Sequence, residues 1–199
     1  IKAGLLGWLR FLPLGEGTFA DWGLAIVLVS VTAAFFGVVL GMTQDDPKTL
    51  LAYSSISQMG FMTSVVGVGL AAPEARDIAL IGCAIYALHH GLTKGVLFLG
   101  VGVAHETGDD RLRRWLVMAG LIIASLSLAG APLGTGALAK EGLKEGIHAG
   151  PSSWETWLEQ LLLLAAAGTT LLVGRFCWLI WRNELGHAST SGFRGLAVP

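Results

Sequence analysis

AIYALHHGLTKGVLFLGVG, residues 84–102, is apolar from end to end except for His89, His90 and Lys94 near its middle. Polar stretches close it off on both sides, APEARD (72–77) and HETGDDRLRR (105–114), so the uninterrupted segment runs from about residue 77 to 105. At about 1.5 Å per residue, a helix of that length crosses a hydrocarbon core of about 30 Å. Lys94 then lies at least about ten residues, or about 15 Å, from either end, beyond the reach of a snorkelling side chain. A lysine at the bilayer centre costs at least about 2.5 kcal/mol on insertion scales, and such residues face the bundle interior and mark ion pathways. His90 and Lys94 are four apart and share a helix face, whereas His89 points about 100° away. His90 and Lys94 read as a proton relay. For His89, a relay role and a hydrogen-bonded structural role both stay open.

The rest of the chain fits a membrane setting. Of its 199 residues 53% are hydrophobic and only 14% charged, with a mean hydropathy of +0.66. A soluble domain carries about 25% charged residues. The net charge of −1 offers no basic field for nucleic acid. Cys83 and Cys177 sit inside apolar runs without metal-ligand spacing. No phosphate-binding glycine loop, paired-cysteine motif or nucleophile elbow occurs, so no cofactor, redox or hydrolytic site is expected in this chain.

Apolar segments are predicted at about 22–43, 48–72, 77–105, 115–129 and 154–181. The opening IKAGLLGWLRFLPL lacks a signal-peptide layout and reads as the end of a further, truncated span. The expected organisation is therefore a helix remnant and turn (1–21), a five-helix repeat (22–181) and a polar tail (182–199). Trp154 and Trp157 at one end of the last segment, and Trp178 and Trp181 at the other, suit the two membrane interfaces. Alternating spans put Lys48, Arg111, Arg113, Arg114, Arg182 and Arg194 on one face, against Arg10 and Arg76 on the other, with Lys140 and Lys144 left open between that face and the membrane interior. The positive-inside rule makes the first face cytoplasmic.

SLSLAGAPLGTGALAKEGLKEG (125–146) holds a second irregularity. Gly130, Pro132, Gly134 and Gly136 interrupt an otherwise helical run, and proline forces a helix to kink or break. In lipid a break is tolerated only where the freed backbone is buried in protein or lines water. Transporters build ion sites this way, which makes Lys140, just beyond the break, a candidate. Ser54, Ser55, Ser57 and Gln58 in LAYSSISQMG (51–60) are candidates for lining water beside the relay, or for packing helices through cross-helix hydrogen bonds.

Three stretches together, DDPKTLLAYSSISQMGFM (45–62), IYALHHGLTKGVLFLGVG (85–102) and SLAGAPLGTGALAKEGL (127–143), resemble one family. It is that of the antiporter-like proton-translocating subunits: the large membrane-arm subunits of respiratory complex I, their relatives in membrane-bound hydrogenases and formate hydrogenlyase, and the large subunits of Mrp-type Na⁺/H⁺ antiporters. The resemblance implies an all-α polytopic membrane protein. Its fold would be of the fourteen-helix type with two inverted five-helix repeats, each with one helix broken mid-membrane. This chain would supply about six spans, including the whole second repeat.

Carried over by position, Lys94 matches the central lysine with His90 one turn before it. Lys140 matches the terminal ionisable residue of the broken helix, and Lys2 resembles a bridging lysine. Tyr86 stands where many members have a further histidine, with His89 nearby, and GAPLGTGALAKEGLKEG departs from the usual phenylalanine-rich form. The resemblance implies proton translocation through Lys2, His89, His90, Lys94 and Lys140 within a redox-driven complex. Cation/proton antiport of the Mrp type and a non-transporting, energy-coupling or structural role are the alternatives. Expected partners are other membrane subunits, the bilayer, protons and, in an antiporter, Na⁺, in a bacterial plasma membrane.

Overall fold

The computed structural model describes residues 2–107, 110–132 and 134–182. They form α1 (Lys2–Phe11), α2 (Ala20–Met42), α3 (Pro47–Ala71), α4 (Arg76–His105), α5 (Arg111–Ala129), α6 (Thr135–His148) and α7 (Ser152–Ile180), with a 3-10 turn at Pro73–Ala75 before α4. The tail expected at 182–199 lies, beyond residue 182, outside the described residues, and with it Arg194. Lys2 heads α1, but its side chain is likewise outside the description.

Among the described residues four helices are long and apolar enough to cross a membrane: α2, α4 with its preceding turn, α5 and α7. α3 is as long as these but more polar, and it is the most enclosed helix of the bundle. Neighbouring helices therefore shield its hydroxyl and amide groups from lipid. Close approach to α2 depends on absent side chains, since a Cβ on Gly60 would stand 2.5 Å from the Ser30 carbonyl.

Helix starts follow local chemistry. Asp46 accepts hydrogen bonds from the Thr49 amide and hydroxyl, both at 2.7 Å, with Pro47 at the first helical position. Those bonds, the hydroxyl's first, hold the Asp46 carboxyl below its ordinary range. Asp110 accepts from the amides of Leu112 and Arg113, so α5 begins at Arg111 rather than near Trp115. The charged run RLRR is thus the first turn of a helix and not part of the loop.

Arg175 of α7 donates to the Gln44 carbonyl and to Asp45, and the rings of Trp115 and Trp181 meet at 5.4 Å. The α2–α3 turn, the start of α5 and the end of α7 therefore share one face. On the opposite side, the Phe19 amide donates to the Leu70 carbonyl, and Gly150 lies against Val68.

Two contacts explain how α5 and α6 relate. Leu121 of α5 packs on Gly100 in the second half of α4, and Gly142 of α6 packs on Gly82 in its first half. The two short helices thus run end to end along α4, as one discontinuous span antiparallel to a continuous one. The break between them falls opposite the middle of α4.

Buried apolar side chains gather in two clusters. One takes Phe61, Met62 and Val65 from α3, Ala79, Cys83 and Tyr86 from α4, Leu143 from α6 and Leu158 from α7. The other takes Leu50 and Leu51, Leu97 and Val101, Leu128, and Leu172 and Phe176. Along α3, α4 and α7 alike, the buried side chains between the clusters are polar.

Candidate functional site

The intervening layer holds buried Ser54, Ser57 and Gln58 from α3, His90, Thr93 and Lys94 from α4, and Thr169 from α7. Helical periodicity accounts for it: on each helix these positions follow one apolar stripe and precede the next on the same inward face. Lys94 is only 6% exposed. Its ammonium donates to the Leu51 carbonyl at 2.7 Å and to the Ser54 hydroxyl at 3.0 Å. A buried ammonium is tolerable only with such partners.

Ser55 turns back along its own helix, its hydroxyl donating to the same Leu51 carbonyl at 3.1 Å. Ser57 has a buried hydroxyl with no hydrogen-bond partner among the described residues.

His90 lies one turn before Lys94 and is 3% exposed. The Tyr86 ring stacks on it, with centroids 6.3 Å apart and planes within 7°. From Tyr86 a hydrogen-bonded chain crosses three helices. The phenol donates to Gln58 Oε1, the Gln58 amide donates to the Thr169 hydroxyl at 2.7 Å, and Thr169 donates to the Ala165 carbonyl. Thr169 carries no signal in the sequence, whereas Tyr86 carries one, its place four residues before His90.

His89 points to the break. Its Nδ1 lies 3.2 Å from the hydroxyl of Thr135, the first residue of α6, which is 3.2 Å from the Ser127 hydroxyl in α5. A Cβ on Gly136 would stand 1.7 Å from the Ser127 carbonyl and 3.1 Å from His89 Nε2, so only glycine lets α6 start here.

The end of α5 is equally specific. Gly130 adopts φ 85°, a left-handed cap that an L side chain would strain, and the Ala131 amide donates back to the Leu126 carbonyl. Pro132 follows, where the chain has left the helix. Gly134 is the extended residue before α6.

Lys140 reaches back across this break, and its ammonium donates to the Ala129 carbonyl at 2.5 Å. The position is the carbonyl-rich, negative end of α5, which favours a cation. A Cβ on Gly130 would meet Lys140 Nζ at 3.1 Å, so the same glycine turns the chain and makes room for the lysine. Lys140 also lines a cavity of about 200 Å³ between α3, α6 and α7, together with Glu141, Lys144 and Glu159.

The structure thus brings Lys94, His90, Ser54 and Gln58 into one buried layer, and puts His89 and Lys140 at the break beside it. Among the described residues no group of three or more His, Cys, Asp or Glu could hold a metal ion.

Long apolar helices, one of them interrupted, around buried ionisable side chains define an all-α polytopic membrane protein. Residues 1–149 match the family described as NADH:quinone oxidoreductase/Mrp antiporter, transmembrane, and the chain belongs to that family. A putative antiporter subunit mnhA2 of Staphylococcus saprophyticus is 34% identical over 168 residues, 74% of this chain and 20% of the relative. The protein of the same description from Staphylococcus haemolyticus is 29% identical over 198 residues, 91% of this chain and 25% of the relative. Among solved structures, the Mrp complex of a Dietzia species contains a similar chain, with TM-score 0.75 and 34% identity over 88% of this chain and 20% of that one. The chain therefore spans about a fifth to a quarter of the length of these relatives.

Proposed function

We propose that this chain is part of a cation/proton antiporter subunit of the Mrp type, in which it carries protons through Lys94, His90 and Lys140. The observation that bears most weight is Lys94: its ammonium is buried and held by a carbonyl and a hydroxyl of the neighbouring helix. Such a group is expensive in a membrane protein and is kept where charge must pass.

His90 sits one turn away, and His89 with Thr135 and Ser127 joins the polar layer to the break where Lys140 lies. Ser57 suits a water-lining role, because its buried hydroxyl has no partner among the described residues and is costly unless water takes it. Ser54 and Gln58 hold other side chains, and Ser55 holds its own backbone.

The family description covers both redox-linked and antiporting members. The relatives above carry the antiporter name and the solved neighbour is an Mrp complex, which favours antiport over redox-driven pumping. Other membrane subunits would be the partners, Na⁺ and H⁺ the ions, and a bacterial plasma membrane the setting.

The test is on the full-length parent with its partner subunits in sealed vesicles, followed by a pH-sensitive dye. A pH change driven by a Na⁺ gradient alone supports antiport. One that needs an electron donor but no Na⁺ would replace it with the redox-driven reading, and no pH change under either condition would favour a structural subunit.

A further inference from the structure

Beyond Lys140, the outer part of α6 carries a row of ionisable groups that the relay does not use. Lys140, Lys144 and His148 recur every four residues and so share one stripe of the helix. α7 runs back alongside and presents Glu159 and Glu155, also four apart. Lys144 Nζ meets Glu159 at 2.9 Å, and His148 Nδ1 meets Glu155 at 2.5 Å. Lys140, Lys144 and Glu159 line the same cavity, whose other walls include Phe61, Leu143 and Leu162. His148 is the last residue of α6, beside the α6–α7 turn. The order from the break outward is therefore Lys140, then Lys144 with Glu159, then His148 with Glu155.

A purely mechanical latch accounts for this poorly. Partly exposed ion pairs contribute only about 0–1 kcal/mol each, and apolar contacts hold helices at least as well. Nor does the cavity suit a metal cation, because Lys140 and Lys144 line it alongside its two carboxylates, Glu141 and Glu159, and its other walls are apolar. What the cavity does bring together is a row of cationic and anionic side chains along one wall.

We propose that this stripe is the outlet of the relay: Lys140 passes its proton across the cavity to Glu159, and the Glu155–His148 pair delivers it to the aqueous face. The inference rests on the relay reading of Lys140. In the first transfer the Lys140 ammonium becomes a neutral amine, the Glu159 carboxylate becomes a carboxylic acid, and the ion pair with Lys144 opens. In the second, Glu159 gives the proton to water or to the outer pair, and its carboxylate closes on Lys144 again. Lys144 is a positioning residue whose returning ion pair favours release.

The experiment uses the full-length parent complex in sealed vesicles with a pH-sensitive dye. Glu159→Gln keeps the shape but takes no proton, and is expected to cut proton flux by about tenfold or more with the complex assembled in normal amount. Glu159→Asp should retain most of the flux. The double variant Lys144→Met, Glu159→Met replaces the ion pair by an apolar contact and should stay inactive. Normal flux in the Gln variant or in the double Met variant would overturn the outlet and leave a packing contact, as would an Asp variant no better than Gln.

Should Glu159→Gln fail to assemble, His148→Gln at the end of α6 replaces it, with slowed flux expected and unchanged flux overturning the proposal. Lys94→Ala measured alongside keeps the two readings apart. Flux that survives Lys94→Ala removes the relay itself, whereas flux lost there but kept in Glu159→Gln removes only the outlet.

Discussion

Lys94 and Lys140 both end on a backbone carbonyl, but the two carbonyls are of different kinds. Leu51 belongs to the unbroken α3, so its oxygen already serves the helix and the Ser55 hydroxyl before Lys94 adds a further donor. Ala129 closes α5, where carbonyls lack an intrahelical partner, and Lys140 occupies one of them. A charge can thus be held at depth by sharing the bonds of an intact helix or by opening a helix end. The first way needs a second polar group nearby, which Ser54 supplies; the second needs glycine, which Gly130 and Gly136 supply. The two lysines should therefore answer to different neighbours when those are replaced.

The largest effect is expected from Lys94→Ala in the full-length parent: dye-reported flux is abolished while the complex still assembles. Flux at the normal rate would sink the relay reading. Next, Gly136→Ala drives a methyl group into the Ser127 carbonyl at 1.7 Å, a contact between backbones that no side-chain rotation relieves. Overpacking of this kind costs about 1–3 kcal/mol or more. Thermal unfolding in detergent should fall clearly for Gly136→Ala, whereas Ser54→Ala beside Lys94 should leave the fold and slow the flux.

Gln58→Leu strands the Tyr86 phenol and loosens Thr169, at a cost of about 1–3 kcal/mol, readable as a lower melting temperature that Tyr86→Phe partly restores. The smallest effect is at the surface. Asp46→Ala removes the α3 cap and about 1 kcal/mol. Because the folded state holds the Asp46 carboxyl below its usual range, the contribution is present above about pH 4 and fades as pH falls through the folded value. The melting difference between Asp46→Ala and the parent should therefore shrink in acid.

The ionisable cluster of α4 was legible because charge inside an apolar run has so few explanations. The break was legible through Pro132 and its three glycines, a cluster that an uninterrupted helix does not need. Helix ends came within a few residues, the widest gap being at α5, where the polar run RLRR falls before the segment expected at 115–129 and the Asp110 cap makes it helix. What the sequence hid is what depends on distant partners. Gln58 and Thr169 are 111 residues apart and Tyr86 and Gln58 are 28 apart, and no spacing rule joins them. The turn of His89 toward Thr135, and the pairing of Glu159 and Glu155 with α6, likewise follow from how helices cross.

The polar layer between two apolar clusters also has an electrical meaning. Apolar layers polarise less than polar ones, so a voltage across the membrane falls more steeply over the two apolar clusters than over the layer between them. A proton moving sideways along that layer would do almost no work against the field. The steps that join the layer to either face would take most of the about 2.3 kcal/mol per charge that 100 mV represents. On the relay reading, sensitivity of transport to membrane voltage should therefore reside chiefly in the steps that cross the apolar clusters, and less in an exchange between His90 and Lys94, which spans only about 6 Å of helical rise.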